Sequence, residues 1–176
     1  MNEKGIGGVA IVIKKVWGNN ITEIARYSHR CMEIKLRTNV YAKTLHLINT
    51  YAPNMSYGRK ERDAYWKEIK YILAQMPKND LIIWATDNNG QIAQPTNSND
   101  RGEELSTNAH IGPWHYAPQC ENGNGVRLVK TLHKHELTAT NTVHPPKGID
   151  KRNLITWTSG DGKIHKQLGY IVISKT

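Results

Sequence analysis

Residues 81–91 read Leu-Ile-Ile-Trp-Ala-Thr-Asp-Asn-Asn-Gly-Gln, and this block decides the fold. Residues 81–86 are a continuous apolar run, too uniform for a half-exposed strand, which predicts a central strand of a sheet. Asp87 and Asn89 follow two positions apart. On an extended backbone that spacing sends a carboxylate and an amide to the same side, at a rim where functional loops gather. Asp87 can take a proton from water while Asn89 donates hydrogen bonds to an attacking oxygen or to a phosphate. Asp and Asn after a strand are also ordinary turn formers, and the local pattern alone leaves both readings open.

Upstream of this block, residues 7–50 read as short strands: GGVAIVIKK, ITEIARYS, RCMEIKLRT and AKTLHLINTY, separated by turn formers such as Gly18-Asn19-Asn20. Met32, Ile34 and Leu36, and then Leu45 and Leu47, alternate with polar residues, so an antiparallel meander with one core face is expected. Residues 56–76 read as a helix with Tyr65, Ile69, Ile72, Leu73 and Met76 on one stripe, closed by Pro77. Residues 91–125 carry no sustained period and read as a long irregular connection. A second helix at 125–135, with Leu128, Val129 and Leu132 inward, leads to a strand at 137–142. Two further strands, LITWTS and KQLGYIVIS, meet at the turn Gly160-Asp161-Gly162. This order predicts an α/β layered domain with sheet packed on sheet, a single domain over 1–176.

Composition narrows the function classes. Twenty-four Lys and Arg against fifteen Asp and Glu give a formal charge of +9, which favours a polyanionic partner, nucleic acid first. Charge does not separate DNA from RNA; DNA is the partner expected ahead of RNA. A merely basic, well-solvated surface fits the scattered charges equally well. No apolar run reaches the roughly 18 residues that cross a bilayer. Cys31 and Cys120 sit in no CxxC pair or metal-spaced cluster, and with no secretory signal they predict an intracellular setting, the nucleus included. His133 and His135 stand two apart on a helix and point away from each other, while His110, His115, His144 and His165 are isolated in loops or turns, so none is assigned a site. Trp84 and Trp157 read as core residues of strands.

Five segments carry a family resemblance in their order: NTYAPN at 49–54, the Asp87 block, GNGVRLV at 123–129, TATNT at 138–142, and the closing ITWTSGDGK…KQLGYIVIS. Together they resemble the endonuclease/exonuclease/phosphatase superfamily, specifically the endonuclease domains of non-LTR (LINE-type) retroelements and craniofacial development protein 2-like sequences, over approximately residues 5–174. The resemblance implies a four-layer α/β sandwich of two packed mixed β-sheets flanked by helices. It also implies Mg2+-dependent hydrolysis of nucleic-acid phosphodiester bonds. Tyr51 falls where the family places a Tyr or His on the scissile phosphate. Asp87 matches the Asp that activates or positions water, and Asn89 the Asn beside it.

Departures from the family pattern matter as much. Thr86 replaces the Gly of the family's Gly-Asp-x-Asn. The family's early Asn and metal-holding Glu precede the segment matching Gly7, and its Ser-Asp-His lies beyond the segment matching Ser174, so the domain is expected to be incomplete at both termini. Glu3 and Glu23 lack the context to stand in for that Glu, and Asp100, Glu103 and Glu104 have no supporting spacing. Within the chain, Gln167-Leu168-Gly169-Tyr170-Ile171-Val172 puts Gly169 where the family has an Asp that orients its catalytic His. A missing orienter costs comparable triads orders of magnitude in rate. The expectation is a partial, catalytically impaired phosphodiesterase of retroelement origin with doubtful metal binding. The alternatives are a non-catalytic basic nucleic-acid-binding module and an unstable gene fragment.

Overall fold

The computed structural model describes residues 8–39, 43–92, 110–114, 116, 121–143 and 151–174. Among them the strands are β1 (Ile21–Ser28), β2 (Cys31–Arg37), β3 (Thr44–Tyr51), β4 (Leu81–Asp87), β5 (Leu137–Ala139), β6 (Trp157–Thr158), β7 (His165–Lys166) and β8 (Gly169–Ser174). The helices are α1 (Arg59–Ala74) and α2 (Gly123–Lys134), with short 3-10 turns at Lys15–Asn20, Thr140–Thr142 and Lys151–Leu154. Six strands form one mixed sheet in the order β1-β2-β3-β4-β8-β5, and β6 pairs with β7 in a small second sheet. The α/β architecture with mixed sheet and helices is therefore the one expected. β3 and β4 are parallel, and α1 forms the crossover between them, so their carboxyl ends share one edge.

Period explains which face each element buries. The α1 stripe of Tyr65, Ile69, Ile72 and Leu73 is buried as expected, joined by Trp66, and Leu128 and Leu132 of α2 complete the layer. Both helices pack on the sheet face that carries Ile48, Ile82, Trp84 and Val172. Polar anchors fix the stack: the Tyr65 hydroxyl and the Trp84 indole N–H both donate to Thr50 Oγ1, at 3.0 and 2.8 Å. Trp66 donates to Asn124 Oδ1 at 3.1 Å. Trp84 is wholly buried, and truncating it to Ala would cost about 3–5 kcal/mol.

The opposite face reads differently from the sequence expectation. β4 alternates, with Ile82, Trp84 and Thr86 buried and Ile83, Ala85 and Asp87 exposed. Its apolar outward residues lie beside Ile171 and Ile173 of β8. Part of this face is crossed by residues 8–14, which were expected as a strand. Among the described residues they pair with no strand; Ile11 and Ile13 are half-buried while Val12 is 94% exposed. The Ala10 carbonyl takes its hydrogen bond from the Asn49 side chain, at 2.7 Å.

Two other expected strands are interrupted. The strand expected at 137–142 stops at Ala139 and turns, and the Asn141 side chain then bonds Gly169 O and Ile171 N at 3.2 and 3.1 Å, taking the place of a backbone ladder. The run KQLGYIVIS divides, because Gln167 and Leu168 cross buried from the hairpin to the main sheet. There Thr156 Oγ1 accepts from the N–H groups of Leu168 and Gly169, at 2.7 and 2.9 Å.

Candidate active site

The parallel ladder between β3 and β4 ends with Tyr51 opposite Asp87, and the antiparallel ladder between β4 and β8 continues with Asp87 opposite Gly169. On the other flank, Tyr51 N–H donates to Arg30 O at 2.9 Å. Opposed residues of a sheet share a face. Arg30, Tyr51, Asp87 and Gly169 therefore form one row across four neighbouring chain segments at a single edge. Carboxyl edges of parallel strands are where open α/β sheets place ligands.

Asp87 is open to solvent yet crowded by neighbouring chain. That partial burial pushes its carboxyl above the ordinary carboxylate range, and the N–H of Asn89, donated to Asp87 Oδ1 at 3.2 Å, opposes the shift. Asn89 does not continue the extended backbone that its spacing implied. Its φ is 45°, in the left-handed region that Asn tolerates, and its side chain folds back to donate to Ala52 O at 2.8 Å. One of its two amide N–H groups is thus committed to joining the ends of β3 and β4. The same turn is tied to α2: the helix cap Asn122 donates to Asn89 O at 2.9 Å and accepts from Gln91 and Gly125 N–H, at 3.1 and 2.9 Å. Thr86 causes no crowding at the rim, since its side chain is buried on the helical face of a regular strand.

Sequence reasoning missed Arg30. Its guanidinium carbon lies 5.3 Å from the Tyr51 ring centroid and 4.9 Å from that of Tyr57. The contact joins segments 21 residues apart, which no local period reveals. Trp157 was also misread: it is 43% exposed on the β6–β7 hairpin, with Lys166 Nζ 5.6 Å from its ring centroid. Among the described residues its strand pairs only with β7, in a two-stranded sheet separate from the six-stranded one that carries the core.

Among the described residues the donor set does not make a preformed magnesium cage. Magnesium is held by hard oxygens, commonly one or two carboxylates with phosphate and water. The strand ends bring one carboxylate, Asp87, to this rim. Among the described residues there is no group of three or more His, Cys, Asp or Glu placed to hold a metal ion. Asp100, Glu103 and Glu104, like Glu3, Cys120, His115 and His144, lie outside the described residues.

His110 and Cys31 are packed away from this rim. His110 is buried, its Nδ1 2.7 Å from Leu137 O, with its ring 5.2 Å from that of His133, so it is packed rather than isolated. Cys31 is fully buried, and burial pushes its thiol up to about 12, which leaves it unreactive at neutral pH. No described helix is long and apolar enough to cross a membrane.

No family model matches the sequence. It is 24% identical over 165 residues to craniofacial development protein 2 of Bos taurus, covering 94% of this chain and 25% of that protein. Against the protein of the same name from Tragulus javanicus it is 23% identical, covering 94% of this chain and 26% of that one. The chain thus spans about a quarter of the length of the curated relatives it matches. Among solved structures it resembles the endonuclease domain of TRAS1, a telomere-specific non-LTR retrotransposon, with a TM-score of 0.52 and 16% identity over 87% of this chain and 56% of that one. It also resembles AP endonuclease LMAP from Leishmania major, with a TM-score of 0.50 and 15% identity over 85% of this chain and 47% of that one. The fold is that of the endonuclease/exonuclease/phosphatase proteins.

Proposed function

We propose that this chain carries the catalytic rim of a nucleic-acid phosphodiesterase of endonuclease type, of retroelement origin, with hydrolysis impaired. The observation that carries the reading is the placement of Tyr51 and Asp87 as paired neighbours at the carboxyl edge of the parallel strands, with Gly169 completing the row. Asp87, its carboxyl raised by crowding and without a cation bound to it among the described residues, orients an attacking water and accepts its proton. The Tyr51 phenol donates to a phosphate oxygen, and the uncommitted N–H of Asn89 faces the same charge. Impairment follows from Gly169, which leaves the β8 position beside Asp87 without any side chain to orient a partner. Retroelement origin is supported by the likeness to the TRAS1 domain.

A non-catalytic nucleic-acid-binding module is the second reading, favoured by the +9 charge and by the exposed Trp157 beside Lys166, an aromatic face and a cation suited to base and phosphate. Supercoiled plasmid incubated with the purified protein and magnesium separates the two. Weak nicking that Asp87→Ala abolishes supports the phosphodiesterase. Nicking that Asp87→Ala leaves intact sinks it, and salt-sensitive retention of the plasmid without nicking favours the binding module.

A further inference from the structure

Arg30 is half-buried and packed against aromatic rings. It sits in the turn between β1 and β2 with its guanidinium over the rings of both Tyr51 and Tyr57, so it has little rotamer freedom left to lose. Tyr57 is itself fixed, because Arg62 Nη1 donates to the carbonyls of Tyr57 and Met55 and holds the loop that presents the ring. Yet the charge of Arg30 is unspent. Lys35, Arg59 and Arg127 each meet a carboxylate, whereas among the described residues none lies within ion-pair distance of Arg30. Among the described residues its side chain makes one long hydrogen bond, from Nη1 to Tyr51 O at 3.4 Å, out of five N–H donors.

We propose that Arg30 grips a backbone phosphate of the nucleic acid at the rim beside Asp87, with Tyr51 and Tyr57 holding the guanidinium in place; this rests on the reading of the rim as a nucleic-acid site. The chemistry selects phosphate. A guanidinium is charged at every physiological pH, is weakly hydrated, and offers a planar fork that matches two phosphate oxygens. The ring contacts spend none of the fork's N–H donors, and among the described residues only Tyr51 O takes one. Tyr51 then has two tasks, supporting the cation with its ring while its hydroxyl reaches the same polyanion.

The test is fluorescence anisotropy with a short fluorescein-labelled DNA duplex in EDTA, so that binding is read without cleavage, across a sodium chloride series. Arg30→Ala is expected to weaken binding about tenfold, the loss of a charge-assisted bond. It should also reduce the slope of log K against log salt by about 0.9, the loss of one phosphate contact. Lys134→Ala, at the far end of α2, should leave the slope at the wild-type value. Arg30→Ala with wild-type affinity and slope overturns the proposal while the phosphodiesterase reading stands, and so does an equal fall in Lys134→Ala. A wild-type protein that binds no DNA at low salt overturns both. Should Arg30→Ala not fold, Tyr57→Ala removes one ring and keeps the charge: several-fold weaker binding with an unchanged slope is expected, and wild-type affinity overturns the clamp.

Discussion

Tyr51 and Asp87 stand opposite one another at the last rung of the parallel β3–β4 ladder, side by side on the sheet face away from the helices. Such a position is poor for stability and good for chemistry, since a carboxylate is held partly out of water without a cation to compensate it among the described residues. Its carboxyl is raised above the ordinary value of 3.8, so the folded chain binds this proton more readily than the unfolded chain does. The ionised group therefore costs stability above that value, and the cost disappears at lower pH where both states are protonated.

Asp87→Asn should accordingly melt higher than the wild type at pH 7, by about 2 °C given solvent screening. The difference should shrink as pH falls and vanish below the ordinary value of 3.8. Differential scanning fluorimetry over that range checks it, and a lower melting temperature for Asp87→Asn at pH 7 would mean that the carboxylate is paired.

A buried network makes the opposite prediction. Glu33, 1% exposed, accepts from Tyr27 at 2.6 Å and lies 2.5 Å from His46 Nδ1, whose Nε2 is 3.1 Å from Asp80. Burial disfavours both charges, but the bonds to His46 and Tyr27 outweigh it for Glu33 and lower its carboxyl below 4.5; bonds to Glu33 and Asp80 likewise raise His46 above 6.5. The Glu33 contribution is complete above 4.5 and fades as pH falls through its lowered value, whereas that of His46 is complete below 6.5 and fades as pH rises through its raised one. Stability should be greatest between those limits. Glu33→Gln should cost about 3 kcal/mol there and remove the acid limb, read by urea denaturation at successive pH values.

How much of this was legible in the sequence divides along one physical line. Where burial follows a local period in the helices, reading succeeded: the α1 stripe from Tyr65 to Leu73 and the inward Leu128 and Leu132 are in place. Where a partner distant in sequence decides the outcome, it did not. In β3 the buried set is instead His46, Ile48 and Thr50, while the expected Leu45 and Leu47 are half-buried on the opposite face, away from the helices. Residues 8–14 have the composition of a strand and lie on the sheet without a ladder, and Trp157 has the composition of a core residue and stands on a free hairpin. The nearness of Tyr51 and Asp87 came from family resemblance rather than spacing. Arg30 gave no signal at all, because its significance lies in two rings contributed by later segments.

Two glycines in the first turn of α2 should respond in opposite ways. A Cβ on Gly125 would drive into the backbone carbonyl of Gln91, in the segment whose capping bonds fix Asn89, so Gly125→Ala should destabilise by about 3 kcal/mol. A Cβ on Gly123 meets only Met55 Cε at 3.9 Å, so Gly123→Ala should stabilise by about 0.5 kcal/mol through the unfolded chain. Chemical denaturation of the pair checks both, and equal effects would contradict the close approach.

Gly169 offers the most direct probe of the rim. A Cβ there meets Thr156 at no less than 3.6 Å, ordinary contact, and its φ lies outside the left-handed region, so Gly169→Asp should fold. The new carboxylate would stand opposite Asp87, and two like charges across one rung raise each other's pKa and repel at pH 7. The variant should therefore melt lower than the wild type at pH 7, with the deficit closing toward pH 4. The second carboxylate adds to the hard anionic oxygens of Asp87, so millimolar magnesium should raise the melting temperature of Gly169→Asp more than that of the wild type. Equal responses to magnesium would show that positions 87 and 169 do not face a common space, and the row of side chains from Arg30 to Gly169 would lose its chemical meaning.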